Sequence, residues 1–114
     1  MIIYRDIDIK QVQVDSVLTF FLSDGGALTI ESPVWIGLPD AHVATAEELE
    51  TLQGKTIELM ELDDNTKRLT ISTDESQLFC DPDERYESWD LNRGDGSKLV
   101  MQPGGNLVTW ASQA

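Results

Sequence analysis

The chain has 114 residues, of which 40% are hydrophobic and 25% are charged, with 21 Asp and Glu against 8 Lys and Arg. Its net charge of −13 disfavours binding to nucleic acid or to anionic membranes, because both interactions require basic side chains on the protein. The same charge favours approach to a basic protein surface.

These bulk properties fit one domain spanning residues 1–114, since a chain of this length buries a core without disulfides or metals. Cys80 is the single cysteine, so no internal disulfide is expected. The first residues lack the basic-then-apolar form of a secretory signal, and no apolar run approaches the length of a membrane span. We therefore expect a cytoplasmic protein.

The N-terminal third alternates between apolar and polar residues, which predicts strands. Residues 2–14 alternate in stretches and predict one or two strands. Residues 17–22 and 27–30 flank the sequence Ser23-Asp24-Gly25-Gly26 and predict a hairpin, because glycines reach the positive φ of tight turns. On this pattern, Leu18, Phe20 and Leu22 share one face.

One helix is predicted after these strands. Thr45 and Glu48 have the spacing of a capping box, in which the Thr hydroxyl accepts from the Glu amide and the Glu carboxylate reaches back. Leu49 and Leu52 lie three residues apart and are expected to face the sheet. Gly54 is expected to end the helix after two to three turns.

The C-terminal half again alternates, and its turns are rich in Asp, Asn and Gly. The irregular spacing indicates a meander of strands rather than a repeat. The predicted segments are a strand at 56–62, a hairpin of 69–72 and 77–80, a second hairpin of 88–91 and 98–101, and a last strand at 106–110.

Catalytic and metal-binding patterns are weak. His42 is the single histidine and Cys80 the single thiol, which leaves no zinc spacing and no clear nucleophile–base pair. A calcium loop starting at Asp63 lacks its glycine and its last glutamate, since those positions hold Arg68 and Asp74. We therefore expect no metal, no cofactor and no enzyme activity.

The densest acidic stretch combines five carboxylates with two aromatic residues, offset by Arg85 alone. Aromatic anchors among charges are typical of protein interfaces, where Tyr and Trp are favoured. The alternative is that Trp89 fills the core and the acids only solvate a loop. The predicted partner-binding residues are Asp81, Asp83, Glu84, Tyr86, Glu87, Trp89 and Asp90.

The sequence motifs also resemble a known family. Tyr86, Trp89 and Leu91 form the pattern Tyr-x-x-Trp-x-Leu, followed by an Asp-Gly turn and by Pro-Gly-Gly before Trp110. This pattern is similar to that of a family of small bacterial domains of unknown function, and the resemblance covers most of the chain. The resemblance implies no catalytic residues, and by analogy it implies a link to immunity proteins that neutralise toxins.

Together these observations predict an α+β domain with a curved antiparallel sheet of about six to eight strands, built from hairpins, and one short helix. The favoured function is a non-enzymatic acidic domain that binds a basic protein, more sharply an immunity protein for a nuclease-like toxin. The alternatives are an acidic nucleic-acid mimic that regulates a DNA-binding protein and, less favoured, an enzyme that uses carboxylates alone.

Overall fold

The structure, a computed structural model, describes residues 1–37 and 40–111, and these form one antiparallel sheet with a short helix. The elements in chain order are β1 (Ile2–Val14), β2 (Leu18–Leu22), β3 (Ala27–Ile30), β4 (Trp35–Ile36), β5 (His42–Val43), α1 (Ala46–Glu50), β6 (Thr56–Leu62), β7 (Leu69–Ser72), β8 (Gln77–Cys80), β9 (Trp89–Asn92), β10 (Lys98–Gln102) and β11 (Asn106–Trp110).

The strand order is β11-β10-β9-β3-β2-β1-β6-β7-β8-β4-β5. The long strand β1 connects two half-sheets, because its beginning pairs with β6 and its end pairs with β2. We call β1 with β6, β7, β8, β4 and β5 the first half-sheet, and β1 with β2, β3, β9, β10 and β11 the second half-sheet.

The sheet is bent rather than flat. Eleven strands laid flat would span about 48 Å at the usual interstrand spacing, whereas the longest dimension of the molecule is 37 Å. Part of the bend lies in β1, where the register shifts between Ile2 and Tyr4 and between Ile9 and Gln11. Asp6, in the regularly paired part of the strand between these two shifts, has a positive φ of 52°. The predicted antiparallel sheet with one short helix is therefore present.

The bent sheet encloses one hydrophobic core, to which both half-sheets contribute. Leu18, Phe20 and Leu22 all point into this core, as the alternation predicts. Ile71 and Leu78 come from the first half-sheet and lie in the same cluster. Buried residues of both half-sheets therefore belong to the same hydrophobic cluster.

The helix begins as predicted. The amide of Glu48 donates to Oγ1 of Thr45 over 3.2 Å, and the amide of Thr45 donates to Oε1 of Glu48 over 3.1 Å, which completes the capping box. Leu49 and Leu52 are buried. The helix is shorter than the two to three turns expected, since it ends at Glu50 and the chain continues through a turn to Gly54. Within the described residues, no helix has the length and hydrophobicity needed to cross a membrane.

Two turns of the second half-sheet are locked together. Asp24, in the β2–β3 turn, accepts hydrogen bonds from the Gly26 amide (2.8 Å), the Gly94 amide (3.1 Å) and the Tyr4 hydroxyl (2.6 Å). Gly94 lies in the β9–β10 turn, and a Cβ atom at that position would overlap the backbone oxygen of Asp24. The two turns therefore approach so closely that one of them requires glycine.

The predicted total of six to eight strands is wrong, because the described residues form eleven. Nine of these coincide with the segments that alternation predicts, and the first of them, residues 2–14, is a single strand. The two strands that the sequence does not indicate are β4 and β5. Each has two residues, which is too short for an alternating pattern to be recognised.

Candidate functional site

The predicted acidic segment, residues 81–90, leaves the end of β8 and enters β9. Asp81, Glu84 and Glu87 are exposed, and Tyr86 is 66% exposed. These side chains therefore present negative charge around an accessible aromatic ring, as the sequence analysis expects of a partner-binding surface.

Asp83 has a different role, because it shapes the segment. Its Oδ1 atom accepts the amides of Arg85 (2.7 Å) and Tyr86 (3.2 Å), which closes a turn. Its own amide donates to Oγ of the buried Ser88 over 2.7 Å, and its carbonyl accepts the Gly104 amide over 2.9 Å. Asp83 thus holds Tyr86 and the neighbouring acids in place.

Trp89 lies in the core, and this removes it from the predicted interface. Its side chain is 1% exposed and its backbone pairs with Ile30 and Met101 on either side. The alternative stated above, a core tryptophan beneath an acidic loop, is the one that the structure shows. Tyr86 is therefore the accessible aromatic residue of this segment.

Asp90 lies on the opposite surface of β9 from Trp89 and is half-buried. Burial raises the pKa of its carboxyl above the ordinary value, Lys98 opposes this shift and Glu87 adds to it. Asp90 therefore faces a different part of the surface from the exposed acids at the start of the segment.

An aromatic stack adjoins the acidic segment. The rings of Trp35 and Phe79 are stacked, with centroids 6.3 Å apart and planes 7° apart. The guanidinium of Arg68 lies 4.2 Å from the centre of the Phe79 ring. Nε of Arg68 donates to Oδ1 of Asp81 over 2.8 Å, and its second nitrogen donates to Oδ2 over 3.0 Å. The stack is thus joined to the first residue of the acidic segment.

The stack belongs to a row of directly paired residues across the first half-sheet. Side chains of directly paired residues lie on the same face, and this row lies opposite the core-facing row of Ile71 and Leu78. Val43, at the edge, is 50% exposed. We call the row the aromatic ladder; it consists of Glu61, Thr70, Phe79, Trp35 and Val43.

Sequence reasoning missed the aromatic ladder. Trp35 and Phe79 lie in different segments, and only the pairing of β4 with β8 brings them together. The one local indication was the alternation of residues 77–80, which places Phe79 on the face opposite Leu78 and Cys80.

His42 is paired with Glu48 rather than with a nucleophile. Its Nε2 lies 2.8 Å from Oε2 of Glu48, and its Nδ1 lies 3.1 Å from the carbonyl of Asp40. Both ring nitrogens are therefore engaged, and the carbonyl of Asp40 and then the carboxylate of Glu48 raise the pKa of the His42 imidazole. With the imidazole protonated, this geometry makes a surface ion pair with Glu48.

We expect the pKa of His42 to lie above the ordinary value of about 6.5 and to fall in Glu48→Gln, which retains an oxygen for the Thr45 amide. Because the pKa of His42 is higher in the folded than in the unfolded state, protonation of His42 stabilises the fold at pH values below its unfolded-state pKa. This stabilisation is lost as the pH rises through the folded-state pKa. NMR titration of the single imidazole measures the shift. An unchanged midpoint in Glu48→Gln would show that the pair does not form.

Cys80 is a buried free cysteine. It is 2% exposed, and burial together with the nearby Asp81 raises the pKa of its thiol to about 12. It is therefore protonated at neutral pH and packs as an apolar side chain. Within residues 1–37 and 40–111, no group of three or more His, Cys, Asp and Glu side chains is arranged to hold a metal ion.

Comparison with known proteins identifies a matching family but no activity. Residues 2–111 match the model of a family described as a family of unknown function (DUF6188). No curated protein and no solved structure matches the chain.

Proposed function

The chain belongs to this family of unknown function, and we propose that it is a non-enzymatic acidic domain that binds a basic protein in the cytoplasm. The observation that carries the proposal is the surface formed by the acidic segment and the aromatic ladder. The acidic segment carries exposed carboxylates and the exposed ring of Tyr86, and Asp81 joins it to Phe79 of the ladder through Arg68.

Charge supplies the steering part of this surface. Asp81 is neutralised locally by Arg68, but no ion pair among the described residues involves Glu84 or Glu87. Free carboxylates on a chain of net charge −13 accelerate the approach of a cationic protein and align it before contact.

Apolar contact supplies the anchoring part. Tyr86 takes the role that the sequence analysis gave to Trp89, because its ring is exposed and its backbone is fixed by Asp83. Val43 extends the apolar area along the ladder. Truncating a central aromatic anchor costs about 2 kcal/mol or more of binding energy.

A toxin that cleaves nucleic acid needs a basic cleft, and an acidic surface with aromatic anchors suits its neutralisation. The sharper form of the proposal is therefore an immunity protein for such a toxin. The carboxylate-only enzyme stays the less favoured alternative, since the exposed carboxylates of the acidic segment surround an exposed tyrosine ring, which suits protein contact.

The test is capture of partners from a lysate of the native host at low and high salt, followed by kinetics with the purified partner. We expect a basic protein that is retained at low salt. Neutralising Glu84 and Glu87 together to Gln is expected to slow its association by about threefold or more at low salt and to flatten the salt dependence. Asp83 is left intact because it builds the turn.

The matched control is the double variant Glu47→Gln, Glu50→Gln, which removes the same charge from the exposed face of α1. It should change association less than the Glu84 and Glu87 variant. Tyr86→Ala should speed dissociation with little change in melting temperature. An acidic or neutral captured partner, or equal effects of the two double variants, would contradict the proposal.

A further inference from the structure

A second surface, on the outside of the second half-sheet, carries no net charge. Twelve directly paired side chains form two rows across six strands of this half-sheet, and we call them the neutral face. The first row is Trp110, Lys98, Asn92, Ala27, Phe21 and Gln11, and the second row is Val108, Val100, Asp90, Thr29, Thr19 and Gln13.

We propose that the neutral face binds a second copy of this chain, forming a two-fold symmetric dimer. The neutral face shares only Asp90, the last residue of the acidic segment, with the proposed basic-partner site, and the inference does not depend on that site.

The charge distribution supports a second copy as the occupant. Among the twelve residues only Asp90 and Lys98 are charged, so the face has zero net charge while the chain carries −13. Two identical acidic molecules repel each other least where both surfaces are neutral. A basic partner gains little electrostatic attraction at the same face, and is directed instead to the acidic segment.

The face also exposes apolar groups that a partner would cover. Phe21 is 37% exposed and Trp110 is 46% exposed, although both lie on an otherwise regular sheet. Between them, Val100 is buried yet lies outside the hydrophobic core cluster. Lys98 lies 5.9 Å from the centre of the Trp110 ring, so its charge is directed over an aromatic surface.

The two exposed aromatic rings lie in the same row and are separated by four interstrand spacings, or about 19 Å. A two-fold axis across the middle of this row places Trp110 of one copy opposite Phe21 of the other, and the reverse. Such self-complementarity is what a two-fold interface requires.

The expected dimer is weak, because each copy contributes only two exposed aromatic side chains to the interface. It should be populated at about 100 µM protein and sparsely at low micromolar concentration. Its salt dependence should be the reverse of that for a basic partner, since screening removes the repulsion between the two acidic copies. Thus salt strengthens the dimer and weakens partner binding, which separates the two proposals.

The experiment is sedimentation equilibrium of the full chain from 5 to 200 µM, in about 0.05 M and 0.5 M NaCl. We expect the average mass to rise from 12.7 kDa towards twice that value with concentration, more steeply at high salt. Phe21→Glu and Trp110→Glu, which place a carboxylate on each exposed ring position, should each keep the protein monomeric. Circular dichroism checks that both variants are folded.

Tyr86→Glu is the matched control, because it adds the same charge at an exposed aromatic residue outside the neutral face. It should dimerise as the unmodified chain does. A monomer at all concentrations and both salts would overturn the proposal. So would a dimer that persists in both Phe21→Glu and Trp110→Glu, because its interface would then lie elsewhere.

Discussion

Replacing Trp89 with alanine is expected to lower the free energy of unfolding by about 3–5 kcal/mol, the usual cost of truncating a buried aromatic side chain. The ring is 1% exposed and is among the largest buried side chains of the described residues. Its removal leaves a cavity beside Ile30 and Met101. The cavity is costly because protein cores are close-packed and the neighbouring side chains relax only in part. Urea unfolding followed by circular dichroism measures the loss.

Trp110→Ala is the matched control, since it removes the same side chain from a position that is 46% exposed. Its effect on unfolding should be much smaller, because nearly half of that side chain already contacts water. Comparable losses for the two variants would mean that Trp89 is not a core residue. Partner binding lost from Trp89→Ala without loss of stability would return Trp89 to the interface.

Gly94→Ala is the second change with a large expected effect, a loss of about 2–3 kcal/mol through overpacking. The added methyl group would overlap the backbone oxygen of Asp24, and a backbone atom cannot turn aside as a flexible side chain does. The β2–β3 and β9–β10 turns must then separate, which breaks the Gly94–Asp24 hydrogen bond. Thermal unfolding provides the measurement.

Gly54→Ala distinguishes steric overlap from backbone strain. Gly54 has a φ of +85° and no heavy atom within 4 Å of an added Cβ, so only conformational strain of about 1 kcal/mol is expected there. Gly94 is not a positive-φ glycine, so its penalty arises from crowding alone. If Gly54→Ala were the more destabilising variant, the two turns would not be in close contact.

Features encoded by neighbouring residues were predicted well from the sequence. The capping box needs only Thr45 and Glu48, and the hairpin at 69–72 and 77–80 needs only alternation around a turn. Each of these elements is specified within a few residues, so its physical cause is visible in the sequence itself.

Features that depend on distant pairing were not predicted. The stack of Trp35 on Phe79 exists because β4 pairs with β8, two strands separated by more than forty residues. The carbonyl of Asp83 likewise accepts the amide of Gly104, a residue from the β10–β11 turn. No local pattern specifies these contacts. The acidic residues of the candidate site could therefore be predicted from the sequence, but the contacts between its segments could not.

The position of Trp89 was open from the sequence, because an aromatic residue among acids fits both an interface and a core. Trp89 and Leu91 are two residues apart in β9, so their side chains lie on the same face of the strand, and both are buried. This shared face identifies Trp89 as a core residue. A strand of four residues carries too few alternating positions to settle this without its neighbours.

The long strand β1 has a consequence for how this fold is acquired. The first part of β1 pairs with β6, which lies about fifty residues later in the chain. Strand β3 pairs with β9, which lies about sixty residues later. Neither half-sheet closes from sequence-adjacent hairpins alone, so productive folding involves the loss of much chain entropy before tertiary contacts compensate for it. We therefore expect a slowly folding protein whose core becomes protected in a single late step, after ribosomal synthesis has passed β9.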